Sequence, residues 1–257
     1  MTKPYFDEPR PRVFAHRGLA VATEHSLGAP ENTLLSFAAA IGAGASYIET
    51  DVNASSDGVS VVSHDPSLER IAGLPGQVRE HTMAQLRRIP LGHDQSFSSL
   101  AEVLDVFPDV RFNIDIKSDD AVAPTIAAIR AARAVDRVLV TSFSERRRRA
   151  AVAGLPGVAT SVGASRFAVA LAAGRIGATP LLRRALAGVD CVQVPMHHGP
   201  IAITVPTFID RLHDAGVEIH VWTINDAQTM HELLALGVDG LVSDRADVAL
   251  QVVSGLR

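Results

Sequence analysis

The chain is poor in cysteine and aromatics, with one Cys, one Trp and 5% aromatic residues among 257, and it has no long apolar run. The lone thiol, Cys191, excludes an intramolecular disulfide, and no paired-Cys spacing is present for a structural zinc site. Set beside Val192 and Val194, it reads as a buried, inert thiol. No stretch approaches the roughly 20 apolar residues that cross a bilayer. The start, 1–12, is polar and broken by proline, without the apolar segment of a secretory signal. Stable membrane insertion is therefore not expected, and a cytoplasmic location is. Positive charge is not in excess either. Lys plus Arg is 24 against 28 Asp plus Glu, a net −4, so bulk charge gives no reason to bind nucleic acid. No Gly/Ser/Pro-rich linker divides the chain, so one domain over 1–257 is expected.

What is present is an alternation. Short Val/Ile-rich runs at 12–16, 47–53, 110–117, 138–143, 158–163, 191–195, 218–224 and 240–243 read as strands. Stretches of helical period at 33–41, 98–107, 121–134, 145–153, 166–175, 206–214, 227–235 and 247–253 fall between them. Eight such pairs in about 250 residues predict an α/β fold, a TIM (β/α)8 barrel. The segment 54–97 is too long for an ordinary βα loop. Its Asp57-Gly58 predicts a hairpin after the second strand, with His64 brought back beside Asp51.

In a parallel barrel, functional groups gather where strands end. The first strand ends in His16-Arg17-Gly18, the second in Glu49-Thr50-Asp51, the hairpin return in His64-Asp65 and the third in Asp115-Ile116-Lys117. Strand alternation puts Glu49 and Asp51 on one face, and Asn113, Asp115 and Lys117 on one face of the next strand. Three carboxylates in one mouth repel unless a cation or proton compensates, and hard oxygen donors favour Mg²⁺ or Ca²⁺ over zinc. The competing reading is a salt-bridged plug with Arg17 and Lys117. Two imidazoles, His16 and His64, suit a reaction that needs both a base and an acid. The permanently charged fork of Arg17 suits phosphate oxygens, or an ion pair with Glu49 or Asp51.

His16-Arg17-Gly18, Pro30-Glu31-Asn32-Thr33, Glu49-Thr50-Asp51 and His64-Asp65, in that order, resemble the glycerophosphodiester phosphodiesterase family. The resemblance continues in Val221-Trp222-Thr223-Ile224-Asn225 and in Gly237-Val238-Asp239-Gly240 leading to Ser243-Asp244-Arg245, covering nearly the whole chain. It implies a TIM barrel that cleaves small-molecule glycerophosphodiesters to glycerol 3-phosphate and an alcohol with bound Mg²⁺ or Ca²⁺. His16 and His64 would be the acid/base pair, Arg17 the phosphate contact, and Trp222 an apolar wall beside glycerol or, equally, a plain core residue; Lys117 is expected to join Arg17 in offsetting charge on the phosphate oxygens. Glu49 and Asp51 would be metal ligands. The family's third ligand is a Glu two residues before a Lys; here it is Asp115, one methylene shorter. The loop 19–29 is also longer than the family pattern and carries Glu24 and His25 at the mouth, where it would narrow access or act as a lid. Two other functions stay open, a phosphodiesterase of lysophospholipids or other phosphodiesters, and a catalytically weak phosphodiester-binding protein. Asp115 motivates the last, and the presence of both histidines opposes it.

Other polar residues read as structural. Asn32 is expected to cap the helix that follows, His220 to lie deep, His197 and His198 to be a solvated loop, and Asp244 to order the rim. His197 and His198 stand at the same rim and have contact with the leaving group as their other reading. Arg146 to Arg149 are expected to be solvated or ion-paired.

Overall fold

The computed structural model describes residues 3–23 and 26–256. Eight parallel strands form its centre: β1 (Arg12–His16), β2 (Tyr47–Ala54), β3 (Arg111–Ile116), β4 (Val138–Thr141), β5 (Ala159–Thr160), β6 (Cys191–Val194), β7 (Glu218–Val221) and β8 (Gly240–Ser243). They pair in the order β5-β4-β3-β2-β1-β8-β7-β6. The two edges meet at a parallel bridge between Ser161 and Cys191, where the Val162 N–H donates to the Cys191 carbonyl at 3.1 Å. The expected barrel is thereby formed.

Register decides which side chains enter the lumen. His16 lies beside Glu49, Glu49 beside Asn113, and Asp51 beside Asp115, so these residues share the inward parity near the strand ends. Their sequence neighbours Ala15, Ile48, Val52, Ile114 and Ile116 point outward into the core beneath the helices. Below the charged layer the lumen is apolar, filled by Phe14, Tyr47, Leu139, Ala159, Cys191 and Val242. Tyr5 and Phe6, on the 3-10 turn Pro4–Phe6, join this cluster and close the far end, with the Tyr47 hydroxyl donating to the Tyr5 carbonyl at 2.9 Å. Gly240 makes room in this layer. A Cβ there would stand 2.8 Å from the Phe14 ring and 2.9 Å from His220. His220 is buried as expected and bonds Glu218. Burial pushes the Cys191 thiol's pKa up, consistent with an inert core group.

The hairpin after β2 is present with a one-residue difference. Val52 pairs with Val62 and Ala54 with Ser60, because the turn takes three residues, Ser56, Asp57 and Gly58, with Gly58 left-handed at φ 75°. Ser63, rather than His64, therefore lies opposite Asp51, donating its N–H to the Asp51 carbonyl at 2.9 Å. Val61, Leu68, Val78, Met83, Leu86 and Phe97 give the insertion a small core of its own, which anchors the segment that carries His64.

The largest departure from expectation follows β5. The helix expected at 166–175 runs over Ala164–Arg175, and a second helix, Thr179–Leu186, leads back to β6. Pro180 sits in its first turn, where a missing N–H costs nothing. Glu24 and His25, expected at the mouth, lie outside the described residues. Among the described residues no helix is long and apolar enough to cross a membrane.

Candidate active site

At the strand ends of the barrel opens a cavity of about 590 Å³, lined on one side by His16, Arg17, Glu49, Asp51, His64, Asp115 and Lys117. Every site residue expected from the sequence reaches it, Trp222 included.

The turn after β1 sets Arg17. Arg17 and Gly18 are both left-handed, at φ 57° and 85°. This reversal lets the Arg17 N–H donate to the Glu49 carbonyl at 2.9 Å while its carbonyl accepts from Asn32 N–H at 3.0 Å. A Cβ on Gly18 would lie 2.6 Å from the carbonyl carbon of Ser36. Gly18→Ala is expected to destabilise the fold by more than about 1 kcal/mol, read as a lower urea midpoint. An unchanged midpoint would show that the turn tolerates the side chain.

Each histidine is held by a carboxylate. His16 Nδ1 lies 2.6 Å from Asp244 Oδ1, and its Nε2 faces Glu49 Oε2 at 3.9 Å. Burial disfavours the His16 imidazolium, but the Asp244 hydrogen bond and the Glu49 charge outweigh it, and its pKa is raised. Asp244 is itself oriented by Asn225 Nδ2 at 2.7 Å, so it orders the rim as expected. His64 Nδ1 lies 2.6 Å from Asp65 Oδ1, and Asp65 is gripped in turn by Arg70. In both rings an Nδ1–H donated to the carboxylate would leave Nε2 as the reactive nitrogen.

The carboxylate cluster is compensated by Lys117, whose Nζ lies 2.7 Å from both Asp51 Oδ1 and Asp115 Oδ2. Burial works against the Asp51 charge, but Lys117 and Arg17 outweigh it and hold its pKa below the ordinary range. Glu49 has no Lys or Arg side chain on its carboxyl; its Oε2 accepts from the Arg17 N–H at 3.3 Å and faces His16. Burial first, and then the Asp51 charge, push its pKa up to about 8. Asp115 is also raised, burial outweighing Lys117.

The cluster offers hard oxygen donors. Asp115 Oδ1 and Asn113 Oδ1 are buried without hydrogen-bond partners, and the Glu49 carboxyl lies outside the Lys117 ion pairs. This donor chemistry fits Mg²⁺ or Ca²⁺. As the side chains stand, no three His, Cys, Asp or Glu among the described residues form a ready metal cage. Lys117 stands between Asp51 and Asp115, while the Glu49 carboxylate lies outside these pairs.

Three residues have roles that the sequence reading missed. Asn32 does not cap the helix Leu34–Gly42; Thr33 does, in a capping box with Ser36. Asn32 instead donates from Nδ2 to Asp51 at 3.1 Å and accepts from the Thr50 hydroxyl at 2.7 Å. Asx and Thr are both good caps, so adjacency alone does not distinguish them. Arg70, in the insertion, bonds Glu31 at 2.6 Å, and Glu31 bonds Arg17 at 3.0 Å, a chain that ties the two histidine-bearing segments together. No local motif announces it. Phe143 lies against Trp222, ring centroids 6.1 Å apart and nearly perpendicular.

A model of the glycerophosphoryl diester phosphodiesterase family matches residues 16–248. The chain is 39% identical, over 94% of its own length and 90% of the relative's, to a probable glycerophosphodiester phosphodiesterase 2 of Mycobacterium tuberculosis. A putative glycerophosphoryl diester phosphodiesterase of Silicibacter pomeroyi superposes with a TM-score of 0.79 at 22% identity, over 99% of this chain and 96% of that one. A phosphodiesterase of Oleispira antarctica, solved in complex with the product sn-glycerol-3-phosphate, gives 0.77 at 22% identity, over 95% and 97%. At those identities the two structures establish likeness of fold.

Proposed function

Since the chain belongs to the glycerophosphoryl diester phosphodiesterase family and is a phosphoric diester hydrolase, we propose that it hydrolyses glycerophosphodiesters to sn-glycerol 3-phosphate and an alcohol by metal-assisted acid/base catalysis with His16 and His64. The observation that carries this reading is the pair of carboxylate-held histidines, His16 on Asp244 and His64 on Asp65, facing one cavity with Arg17 and three carboxylates. The relative solved with sn-glycerol-3-phosphate supports the product class.

A divalent cation, Mg²⁺ or Ca²⁺, held by Glu49, Asp51 and Asp115, would supply positive charge that acidifies a nearby hydroxyl and offsets phosphate charge. The protein's own groups do the rest. The Arg17 guanidinium and the Lys117 ammonium bind phosphate oxygens and stabilise charge that develops on them. One imidazole Nε2 takes the proton of the glycerol 2-hydroxyl as its oxygen attacks phosphorus, and the other protonates the departing alcohol. Water then opens the cyclic phosphate. Asp244 and Asp65 hold the two rings in one tautomer through both steps.

The test is release of glycerol 3-phosphate from glycerophosphocholine and glycerophosphoethanolamine, before and after chelation. Removing metal is expected to lower the rate by about ten- to a hundred-fold, with recovery on Mg²⁺ or Ca²⁺. Full activity after rigorous chelation would remove the metal from the mechanism. No release from either substrate under any metal would overturn the substrate class.

A further inference from the structure

A chain of buried polar groups crosses the apolar layer of the lumen, from the closed end of the barrel to the floor of the cavity. Arg12, on β1, donates to the carbonyls of Phe6 and Glu8 at 2.7 and 3.0 Å, and to Glu218 Oε2 at 2.6 Å. Glu218 Oε2 lies 3.1 Å from His220 Nε2, and His220 Nδ1 lies 3.5 Å from the amide nitrogen of Gln193. Register makes the last pair, since His220 of β7 stands beside Gln193 of β6. His220 is fully buried, its ring centroid 4.7 Å from that of Phe14, with Gly240 close against it. Gln193 is half-buried and lines the cavity.

The chain has one direction. A guanidinium only donates, so Glu218 accepts from it as a carboxylate. Glu218 also takes the ring proton on His220 Nε2, which leaves a lone pair on Nδ1 that only the amide N–H of Gln193 can meet. Turned over, the amide would set its oxygen lone pairs against that of Nδ1. Gln193 therefore keeps its Oε1, which no group among the described residues meets, as an acceptor for the cavity. Polar groups in an apolar layer cost free energy unless each is met, and this chain ends on an atom that no protein group meets.

An acceptor repels phosphate oxygens and calls for a hydroxyl. Arg17 follows β1 and Lys117 follows β3, flanking β2, and β6 stands opposite β2 in the eight-strand order, so phosphate and acceptor are on facing sides. Of the two halves of a glycerophosphodiester, glycerol is small and constant and suits a floor closed from beneath by Tyr5 and Phe6, whereas alcohols of differing size need the open mouth. Its 2-hydroxyl is the attacking group, which leaves the 1-hydroxyl to donate. We propose that Gln193 binds the glycerol 1-hydroxyl and selects substrates that carry it, with His220 the positioning residue that fixes the amide. This rests on the hydrolytic reading above and extends it to two residues outside the charged cluster.

Choline release by the full chain with Mg²⁺ is compared for glycerophosphocholine and for its 1-deoxy analogue, which keeps the 2-hydroxyl. With the acceptor left unmet, kcat/KM is expected to fall about ten- to a hundred-fold on the analogue. Gln193→Leu should bring glycerophosphocholine down to the level of the analogue and leave the analogue unchanged. His220→Phe keeps a ring and loses both nitrogens. It should lower the preference for the hydroxyl without slowing the analogue, whereas a purely structural role would slow both substrates alike. Calorimetric titration with glycerol 3-phosphate and with its 1-deoxy analogue makes the same comparison without turnover. Equal kcat/KM on the two substrates, with equal affinity for the two products, would overturn the assignment and leave the hydrolytic reading standing. Turnover of neither substrate would overturn the hydrolytic reading, and the two affinities, in the unmodified chain and in Gln193→Leu, would then decide whether Gln193 binds the hydroxyl. A loss in Gln193→Leu that appears with glycerophosphoglycerol and not with glycerophosphocholine would place the amide against the departing alcohol and overturn the glycerol assignment.

Discussion

His16→Ala and His64→Ala are each expected to lower kcat by about 10²–10⁴, with KM changing far less. The expectation rests on two independently held imidazoles at one cavity. Asp244 comes from the end of β8 and holds His16 on β1, while Asp65 and Arg70 of the insertion hold His64. Neither ring is needed to complete the core, since both are partly exposed at the mouth, so urea midpoints should stay near that of the unmodified chain. With one ring as base and the other as acid of the same proposed reaction, the double variant should lose much less than the product of the single losses. Asp244→Asn keeps the shape but removes the charge that favours the His16 imidazolium. It should lower the limb of the pH–rate profile that reports His16 as well as reduce the rate, whereas a purely structural role would leave the profile in place. Near-normal turnover in either alanine variant would remove that histidine from the chemistry.

Much of this site follows from local sequence because it lies on strand ends. Period-two alternation placed Glu49 with Asp51 and Asn113 with Asp115, and β1 and β8 have the expected limits. Where local signals were ambiguous, tertiary contacts decided. The three-residue turn at Asp57-Gly58 moved the hairpin register by one. Asn32 and Thr33 are equivalent as caps, but only Asn32 has Asp51 and Thr50 within reach. Pro180 resembles a helix breaker until it is seen at a helix start. The apolar side of the cavity joins residues from 143, 164–171 and 222, which only the barrel brings together, so no single window of sequence contains it.

The partition of charge in the mouth also follows from this closure. Lys117 reaches Asp51 and Asp115 because β2 and β3 are neighbours in register, whereas Glu49, one pleat deeper, lies beyond it and faces His16. Lys117 and Arg17 neutralise Asp51 and Asp115 and leave Glu49 without a Lys or Arg partner. Its charge must be met by protonation or by a bound cation, and the two alternatives have opposite dependence on pH.

Metal-free protein is therefore expected to lose stability as pH rises from about 5 to about 8. Glu49 ionises ordinarily near 4.5 and in the fold near 8, so its folded form holds a proton that the unfolded chain has released across that window. A raised pKa gives stability that is complete below the unfolded value and lost as pH rises through the folded one. The groups facing Glu49 act in the same direction or outside the window. The pKa values of His16 and Asp115 are also raised, Asp51 is lowered and already ionised, and the raised pKa of Lys117 keeps it charged throughout. For Glu49 alone the upper bound is on the order of 5 kcal/mol. Even half of that would lower Tm by roughly 5–10 °C in a chain of this size. Thermal unfolding in a chelator at pH 5, 6, 7 and 8 should show the fall. Mg²⁺ or Ca²⁺ should restore Tm most at pH 8, where the cation has the full carboxylate charge to bind, and least at pH 5, where it must displace a proton. Glu49→Gln should flatten the chelator profile and reduce the metal-induced rise together. A metal-free Tm independent of pH, or a metal effect equal at pH 5 and pH 8, would show that the buried carboxyl is not where the cation acts.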